Sequence, residues 1–492
     1  MIKPDPNNTS THQSNPIQSI PKIILKSKYS NLSNFLLFCM IPTSLLGIAI
    51  WPISLFFSFL PIFSLVSIPS FIFISIFLLF SISSIPYLLF AQTDPPEGSR
   101  ILVLPLSPLR AWRVLRTIIQ QSFEFSKLGL IELLLDYSYR RIIVIGGNKK
   151  INSKILKENI SYRTTTTSTQ SKSNRLDIYL PIDWSPISRS YPTQSSSIHL
   201  QSFDLSHSSD LEIHSDDSDS AQIPASALAP VIVFLHPGGW SITSKGLYIQ
   251  LALRFRRLGF CVVVPNFTQF PEGRCEDSIA DIRQALAWVQ RSAHQYGGDG
   301  NRVYLLGHGS GAHLALLTVV QDAVIHSRDH APSQAMIPSG LNRLTHSNDQ
   351  YTTSNQIEGL ILMSGIYDPI KQVRIEAKLG WEMVSTLRRA LGPSHAQTLL
   401  NSPNHLLFAS KDFLQVDRLP SKVLLIHGGR DTNVPIVQSV LCKTLLVGIG
   451  LKEVRLRAYR ELGHLDSLLS IMIDGRRYGN LIDAEIVSLV TS

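Results

Sequence analysis

The run VYLLGHGSGAH, from Val303 to His313, is an apolar strand-like stretch that breaks at glycines and resumes as a helical pattern. A strand turning sharply into a helix lifts the side chain at its tip clear of a sheet. Glycines stand two places before and after the tip because the backbones crowd there. Gly307 and Gly311 occupy those flanks, and Gly309 stands midway, where an attacking atom is needed. The nearest hydroxyl, Ser310, comes one place late. Moving the tip to Ser310 puts His308 and Ala312 on the flanks, and a histidine brings a Cβ and a ring into the crowded side. Three outcomes are open here: attack by Ser310, attack by a water that a base activates, or no chemistry.

Three further segments carry groups that such a turn requires. Val231 to Trp240 reads VIVFLHPGGW, a buried strand ending in a glycine turn. Turns of this kind aim backbone N–H groups at a developing oxyanion. Pro237 has no N–H, so the donors expected are Gly238 and Gly239, with the N–H of Ser310 from the turn itself. Lys422 to Asp431 reads KVLLIHGGRD, which places Asp431 just past a strand end, and Val454 to His464 reads VRLRAYRELGH, a last strand followed by a loop histidine. A carboxylate and an imidazole at strand ends are groups for acid–base work. Their chain order is turn, acid, base.

These segments resemble the isoprenylcysteine methylesterase family, in the esterase/lipase branch of the α/β hydrolases, with kynurenine formamidases as relatives. The likeness rests on NRLDIYLP (Asn174 to Pro181), the HPGGW loop, PNFTQFPEG (Pro265 to Gly273) and SIADIRQALAWV (Ser278 to Val289). It continues through YGGDGNRVYLLGHGSGAH (Tyr296 to His313), SGIYD (Ser364 to Asp368) and HGGRDTNVP (His427 to Pro435). The resemblance implies an α/β-hydrolase fold, a mostly parallel sheet with helices on both faces, over residues 174–492. It implies Asp431 as acid, His464 as base, and a hydrophobic or lipidated carboxylic ester as substrate. The family's serine falls on Gly309, so the nucleophile does not carry over. The second reading, of a different class, is a non-catalytic pseudohydrolase that binds a lipid or a protein partner. Around the site, His308 is placed to face the pocket and His313 to pack by hydrogen bonding. Trp240 covers the acyl pocket or joins the core, and Asp368 caps the next turn.

The 492 residues carry a formal charge of +9, with basic clusters at Lys22 to Lys28, at Arg110 to Arg116 and at Arg140, Arg141, Lys149 and Lys150. No aromatic interleaving or nucleic-acid motif accompanies them, so a membrane surface explains them better than nucleic acid. Cys39, Cys261, Cys275 and Cys442 show neither pairing nor metal-ligand spacing, which suits a reducing compartment. No metal or cofactor is expected.

Phe35 to Phe90 contains no charged residue and no histidine over 56 residues. One membrane crossing takes about 20, so two transmembrane helices are expected, with Pro61 and Pro69 in the turn between them. Basic residues on both flanks place both ends, and the hydrolase domain, in the cytoplasm. The endoplasmic reticulum is the membrane the resemblance suggests, and membrane lipids are expected partners. Residues 98–150 read as a juxtamembrane helical linker, in which Leu106 to Tyr139 is amphipathic. It lies on the membrane surface or packs on the hydrolase domain. Residues 1–30 read as a disordered tail, and 185–227 and 326–355 as disordered polar insertions.

Overall fold

The structure, a computed structural model, describes residues 28–90, 104–127, 129–146, 152–163, 174–182, 228–332, 335–345, 357–382, 384–392 and 394–492. The insertion expected at 185–227 and most of the expected tail lie outside these. The chain divides into two compact units, Met1–Pro105 and Leu106–Ser492.

The first unit is a helical hairpin, α1 (Lys28–Ser58) and α2 (Pro61–Phe90), joined by two residues. Lys28, Tyr29 and Ser30, expected in the tail, open α1. Pro69, expected in the turn, lies inside α2, while Pro61 starts it. Trp51 meets Phe71 at 5.2 Å between ring centroids, and its indole N–H donates to Ser75 Oγ at 2.9 Å. The hydroxyls of Ser44, Ser58, Ser67 and Ser75 each donate to the carbonyl four residues earlier. These four hydroxyls are thereby satisfied within the hairpin, as side chains in hydrocarbon require, whereas the buried Ser81 and Ser84 hydroxyls have no partner among the described residues. Asn34–Ser58 and Pro61–Leu89 have mean hydropathies of 2.0 and 2.5 and are long enough to cross a membrane.

The second unit opens with α3 (Pro108–Lys127) and α4 (Leu130–Tyr139), then strands β1 (Leu156–Ser161), β2 (Arg175–Tyr179) and β3 (Ala229–Leu235). Next come α5 (Ile249–Arg257), β4 (Cys261–Pro265), α6 (Cys275–Ser292), β5 (Gly298–His308), α7 (Ser310–Asp329) and β6 (Ile357–Met363). Four short helices follow, α8 (Pro369–Leu379), α9 (Leu387–Leu391), α10 (His395–Leu400) and α11 (Pro403–Ser410). The chain closes with β7 (Lys422–Gly428), α12 (Val437–Gly448), β8 (Glu453–Tyr459), α13 (Asp466–Met472) and α14 (Gly479–Thr491).

The eight strands form one sheet in the order β1-β2-β4-β3-β5-β6-β7-β8. β1, β2 and β4 pair antiparallel, and every pairing from β4 to β8 is parallel. This is the expected α/β-hydrolase arrangement. The inner parallel strands β3, β4, β6 and β7 are apolar on both sides along most of their length because helices cover both faces, while the edge strand β8 carries Glu453, Arg455 and Arg457. In β3, Val231, Val233 and Leu235 join the core shared with α6, α7, α11 and α12, while Ile232 and Phe234 join the core shared with α5, α13 and α14. The period of two splits one sequence run between two cores.

Three boundaries differ from the sequence reading. The sheet begins at β1, before residue 174, because β1 is short and half polar and gives no strand signal. From Leu106 on, the expected 98–150 linker belongs to the second unit. Thr117 on α3 donates to the Leu379 carbonyl at 3.0 Å, and Arg140 bonds Asp474 at 2.7 Å. The expected insertion at 326 starts inside α7, and Arg328 ties down the chain at 341–344 through the Leu341 and Leu344 carbonyls, each at 2.7 Å.

Candidate active site

Gly309 forms the turn between β5 and α7, with φ 55° and ψ −115°. The flanking glycines fix this register. A Cβ on Gly307 would lie 2.5 Å from the Gly311 carbonyl carbon, and one on Gly311 would lie 2.0 Å from the Leu235 oxygen. No side chain fits at either place. The tip is therefore residue 309, and Ser310 is the first helical residue, 5 % exposed. Among the described residues no hydrogen bond joins Ser310 to His464.

Residue 309 faces the loop histidine. A Cβ built on Gly309 would stand 3.4 Å from His464 Nε2 and 3.8 Å from Pro237 Cβ. His464 comes from the loop after β8, and its Nδ1–H donates to Asp431 Oδ2 at 2.8 Å. With Nδ1 donating, the Nε2 lone pair faces position 309. Asp431, after β7, accepts at Oδ1 from the N–H groups of Asn433 at 3.0 Å and Val434 at 2.7 Å. Its side chain is fully buried. Burial alone would raise its carboxyl. The charge of His464, the hydrogen bonds from His427 and His464 and the Val434 N–H outweigh that and hold it well below the ordinary carboxylate range.

The HPGG turn follows β3. Gly238 and Gly239 have φ 131° and 60°, and a Cβ on Gly238 would collide with Thr243 Oγ1 at 2.5 Å. The Thr243 hydroxyl donates to the Pro237 carbonyl and accepts from His236 Nδ1 at 2.9 Å, which sets the turn's shape. Among the described residues no backbone hydrogen bond from the N–H groups of Gly238, Gly239 and Ser310 is made to another residue.

Buried imidazoles frame this arrangement. Burial lowers His236 to about 4, His313 to about 4 and His308 to about 3, so each is neutral near pH 7. His308, expected to face the pocket, is fully buried and donates from Nε2 to the His464 carbonyl at 2.9 Å. It holds the histidine loop instead of lining the site. His313 donates from Nε2 to the Asn401 carbonyl at 2.8 Å and accepts the Trp240 indole N–H at 3.3 Å. Trp240, 4 % exposed, is thus a packed residue tied to α7. Asp368 caps α8 by accepting from the Lys371 N–H at 3.0 Å.

Three contributors were not picked out in the sequence. His427 lies with Nε2 3.4 Å from Asp431 Oδ2 and 2.8 Å from the Val434 carbonyl. A histidine inside the apolar run KVLLIH was its signal. Thr386 donates to the Gly239 carbonyl and braces the glycine turn. Gln121 of α3 donates to Asn433 Oδ1 at 2.7 Å and braces the acid loop. Nothing in the sequence marks either of these last two. A separate cavity of about 810 Å³, lined by Arg141, Asp177 and Lys245 among others, lies at the antiparallel end of the sheet and includes none of Gly309, Asp431 and His464. Among the described residues no cluster of His, Cys, Asp and Glu could hold a metal ion.

The BD-FAE family model matches residues 221–446. The isoprenylcysteine alpha-carbonyl methylesterase of Arabidopsis thaliana is 26% identical over 263 residues, 54% of this chain and 56% of that protein. A probable isoprenylcysteine alpha-carbonyl methylesterase of Oryza sativa subsp. japonica is 36% identical over 100 residues, 20% of this chain and 24% of that protein. The kynurenine formamidase of Salmo salar is 29% identical over 178 residues, 36% of this chain and 50% of that protein. The alignments thus span between about a quarter and just over half of the length of these relatives. Among solved structures, an esterase B from Lactobacillus rhamnosis aligns with TM-score 0.48 at 14% identity, covering 76% of this chain and 94% of that one. The chain carries the α/β-hydrolase fold and resembles the isoprenylcysteine methylesterases.

Proposed function

We propose that the chain is a membrane-anchored carboxylic ester hydrolase whose base and acid act on a water rather than on a serine. The observation that carries this reading is the His464 Nε2 lone pair, 3.4 Å from where the Cβ of residue 309 would be. Gly309 leaves that space for a ligand or a water. His464 would take the proton of a water as its oxygen attacks the ester carbonyl, with Asp431 holding the ring and stabilising the imidazolium. The N–H groups of Gly238, Gly239 and Ser310 would receive the developing oxyanion. The intermediate then collapses, with the proton passing from His464 to the departing alkoxide. Losing the covalent step lowers the rate by orders of magnitude relative to a serine enzyme.

By likeness to the methylesterases, the substrate is a hydrophobic or lipidated carboxylic ester, a prenylcysteine methyl ester being the first to test. The two apolar helices would anchor the chain, and basic residues on both flanks of the hairpin would hold both ends in the cytoplasm. The endoplasmic reticulum is the membrane we propose, from the resemblance. The missing hydroxyl at residue 309 favours a second reading, a pseudohydrolase that binds such an ester without cleaving it.

Methanol release from a prenylcysteine methyl ester, measured on the full chain and on His464→Ala, tests the proposal. Slow release that His464→Ala abolishes supports it. Binding without His464-dependent release leaves the pseudohydrolase.

A further inference from the structure

Helix α3 has two unlike faces. Ala111, Val114 and Thr117 are buried, Val114 lying beside Gly380, and the Thr117 and Gln121 side chains reach the Leu379 carbonyl and Asn433. The opposite face turns Leu109, Trp112, Ile119 and Phe123 outward, with Trp112 54 % and Phe123 62 % exposed. α4 continues this surface with Leu134 and Leu135, at 63 % and 67 %. Single exposed apolar side chains are ordinary, but a continuous set on consecutive helices marks a contact surface.

Its chemistry selects a lipid bilayer. Arg113 and Arg116 stand exposed among the apolar side chains, and among the described residues neither makes an ion pair. Arg110, also exposed, reaches Glu382 at 3.4 Å. Among the described side chains of this surface, the acid Glu132 lies 4.0 Å from Arg476. Aromatic and aliphatic side chains interleaved with arginines suit the boundary between acyl chains and anionic headgroups. The chain supplies proximity as well: 15 residues, 91–105, lie between the end of the apolar hairpin at Phe90 and residue 106. Fully extended they reach about 50 Å, so a hairpin in a bilayer keeps α3 within reach of the same leaflet.

We infer that the outward face of α3 and α4 is a bilayer-docking surface, seated on anionic phospholipid, that holds the acid side of the candidate active site next to the membrane. This rests on the proposed anchoring of α1 and α2. The link to the site is direct, because Gln121 bonds Asn433, whose N–H donates to Asp431 Oδ1. An ester carried on a lipid would then reach the site without leaving the bilayer entirely.

The test uses the full chain in liposomes of phosphatidylcholine and phosphatidylserine carrying a diazirine-acyl phospholipid. Photolysis is followed by peptide mapping of the adducts. Adducts are expected in two regions, 34–89 and 108–143. Replacing Trp112, Ile119 and Phe123 together by aspartate should cut the second set at least fivefold and leave the first unchanged, with an unaltered melting temperature. Adducts confined to 34–89 in the parent chain would overturn the docking surface while leaving the anchor intact. Adducts in neither region would overturn the anchor, and docking with it. Intermolecular cross-links through 108–143 with an added amine-reactive bifunctional reagent, in place of lipid adducts there, would identify a second copy as the occupant and also overturn the inference. If the triple variant misfolds, loss of 108–143 adducts on removing phosphatidylserine supports the inference, and their persistence at full yield refutes the headgroup contact.

Discussion

Replacing Gly309 by serine should convert the site into one that reacts covalently. The structure sets both terms of that change. A new Cβ would lie 3.4 Å from His464 Nε2 and 3.8 Å from Pro237 Cβ, ordinary contact distances, so the side chain enters without displacing its neighbours. The hydroxyl, one bond further out, comes within reach of the Nε2 lone pair. Against this stands the backbone, held at φ 55°. A positive φ outside the left-handed helical well costs an L residue about 1–3 kcal/mol, which lowers the melting temperature by a few degrees. On the chemical side, removing the nucleophile from a serine–histidine–acid site costs roughly 10⁶ in kcat, and oxyanion donors with binding alone retain roughly 10³ over water. Restoring it should therefore raise ester turnover by roughly 10³-fold or more. Fluorophosphonate labelling followed by intact mass measurement reads the outcome directly. We expect Gly309→Ser to gain one phosphonyl group, located on residue 309, and the parent chain to gain none. A folded Gly309→Ser that stays unlabelled would refute the placement of the base. Labelling of the parent chain that Ser310→Ala abolishes would refute the register and make Ser310 the nucleophile.

Other outcomes follow from the same coordinates. In the Gly309→Ser background, Asp431→Asn should lower turnover by roughly 10⁴-fold, because the amide holds His464 in the wrong tautomer, and ester kinetics would detect it. Gly311→Ala should destabilise the second unit by about 3 kcal/mol, since its Cβ would meet the Leu235 carbonyl oxygen at 2.0 Å, and thermal melts would show the loss. The buried imidazoles set a pH dependence: unfolding lets His236, His308 and His313 bind protons at their ordinary value near 6.5, while the folded state holds them at about 4, 3 and 4. Between pH 6.5 and 4 the unfolded chain therefore binds more protons, so stability falls with pH by up to about 1.4 kcal/mol per unit for each imidazole. Melting temperatures across that window should decline steadily, and His313→Gln should make the slope shallower.

The fold was legible where both faces of a strand are buried. VIVFL and KVLLI are strands whichever helix covers them, and the glycines at 307 and 311 mark the turn because a Cβ at either place meets backbone. The His464–Asp431 hydrogen bond was also foreseeable, since both residues sit just past parallel strand ends on one edge of the sheet. What stayed hidden depends on tertiary contact. β1 has only one fully buried residue, Leu156, and its pairing comes from β2. The two-faced pattern of α3 fits a membrane surface and a packed helix equally, and the structure supplies the buried side through Thr117 and Gln121. His308 reads as a turn residue in sequence; its role as the anchor of the His464 loop depends on a carbonyl 156 positions away.

We propose hydrolysis by a base-activated water at a site without a covalent nucleophile. Its most direct test is to quench the parent chain during turnover of a prenylcysteine methyl ester and weigh it intact. We predict methanol release that depends on His464, with no acyl adduct on the chain at any time point, while Gly309→Ser accumulates one on residue 309. An acyl adduct on Ser310 of the parent chain, or no His464-dependent release at saturating ester, would contradict the account.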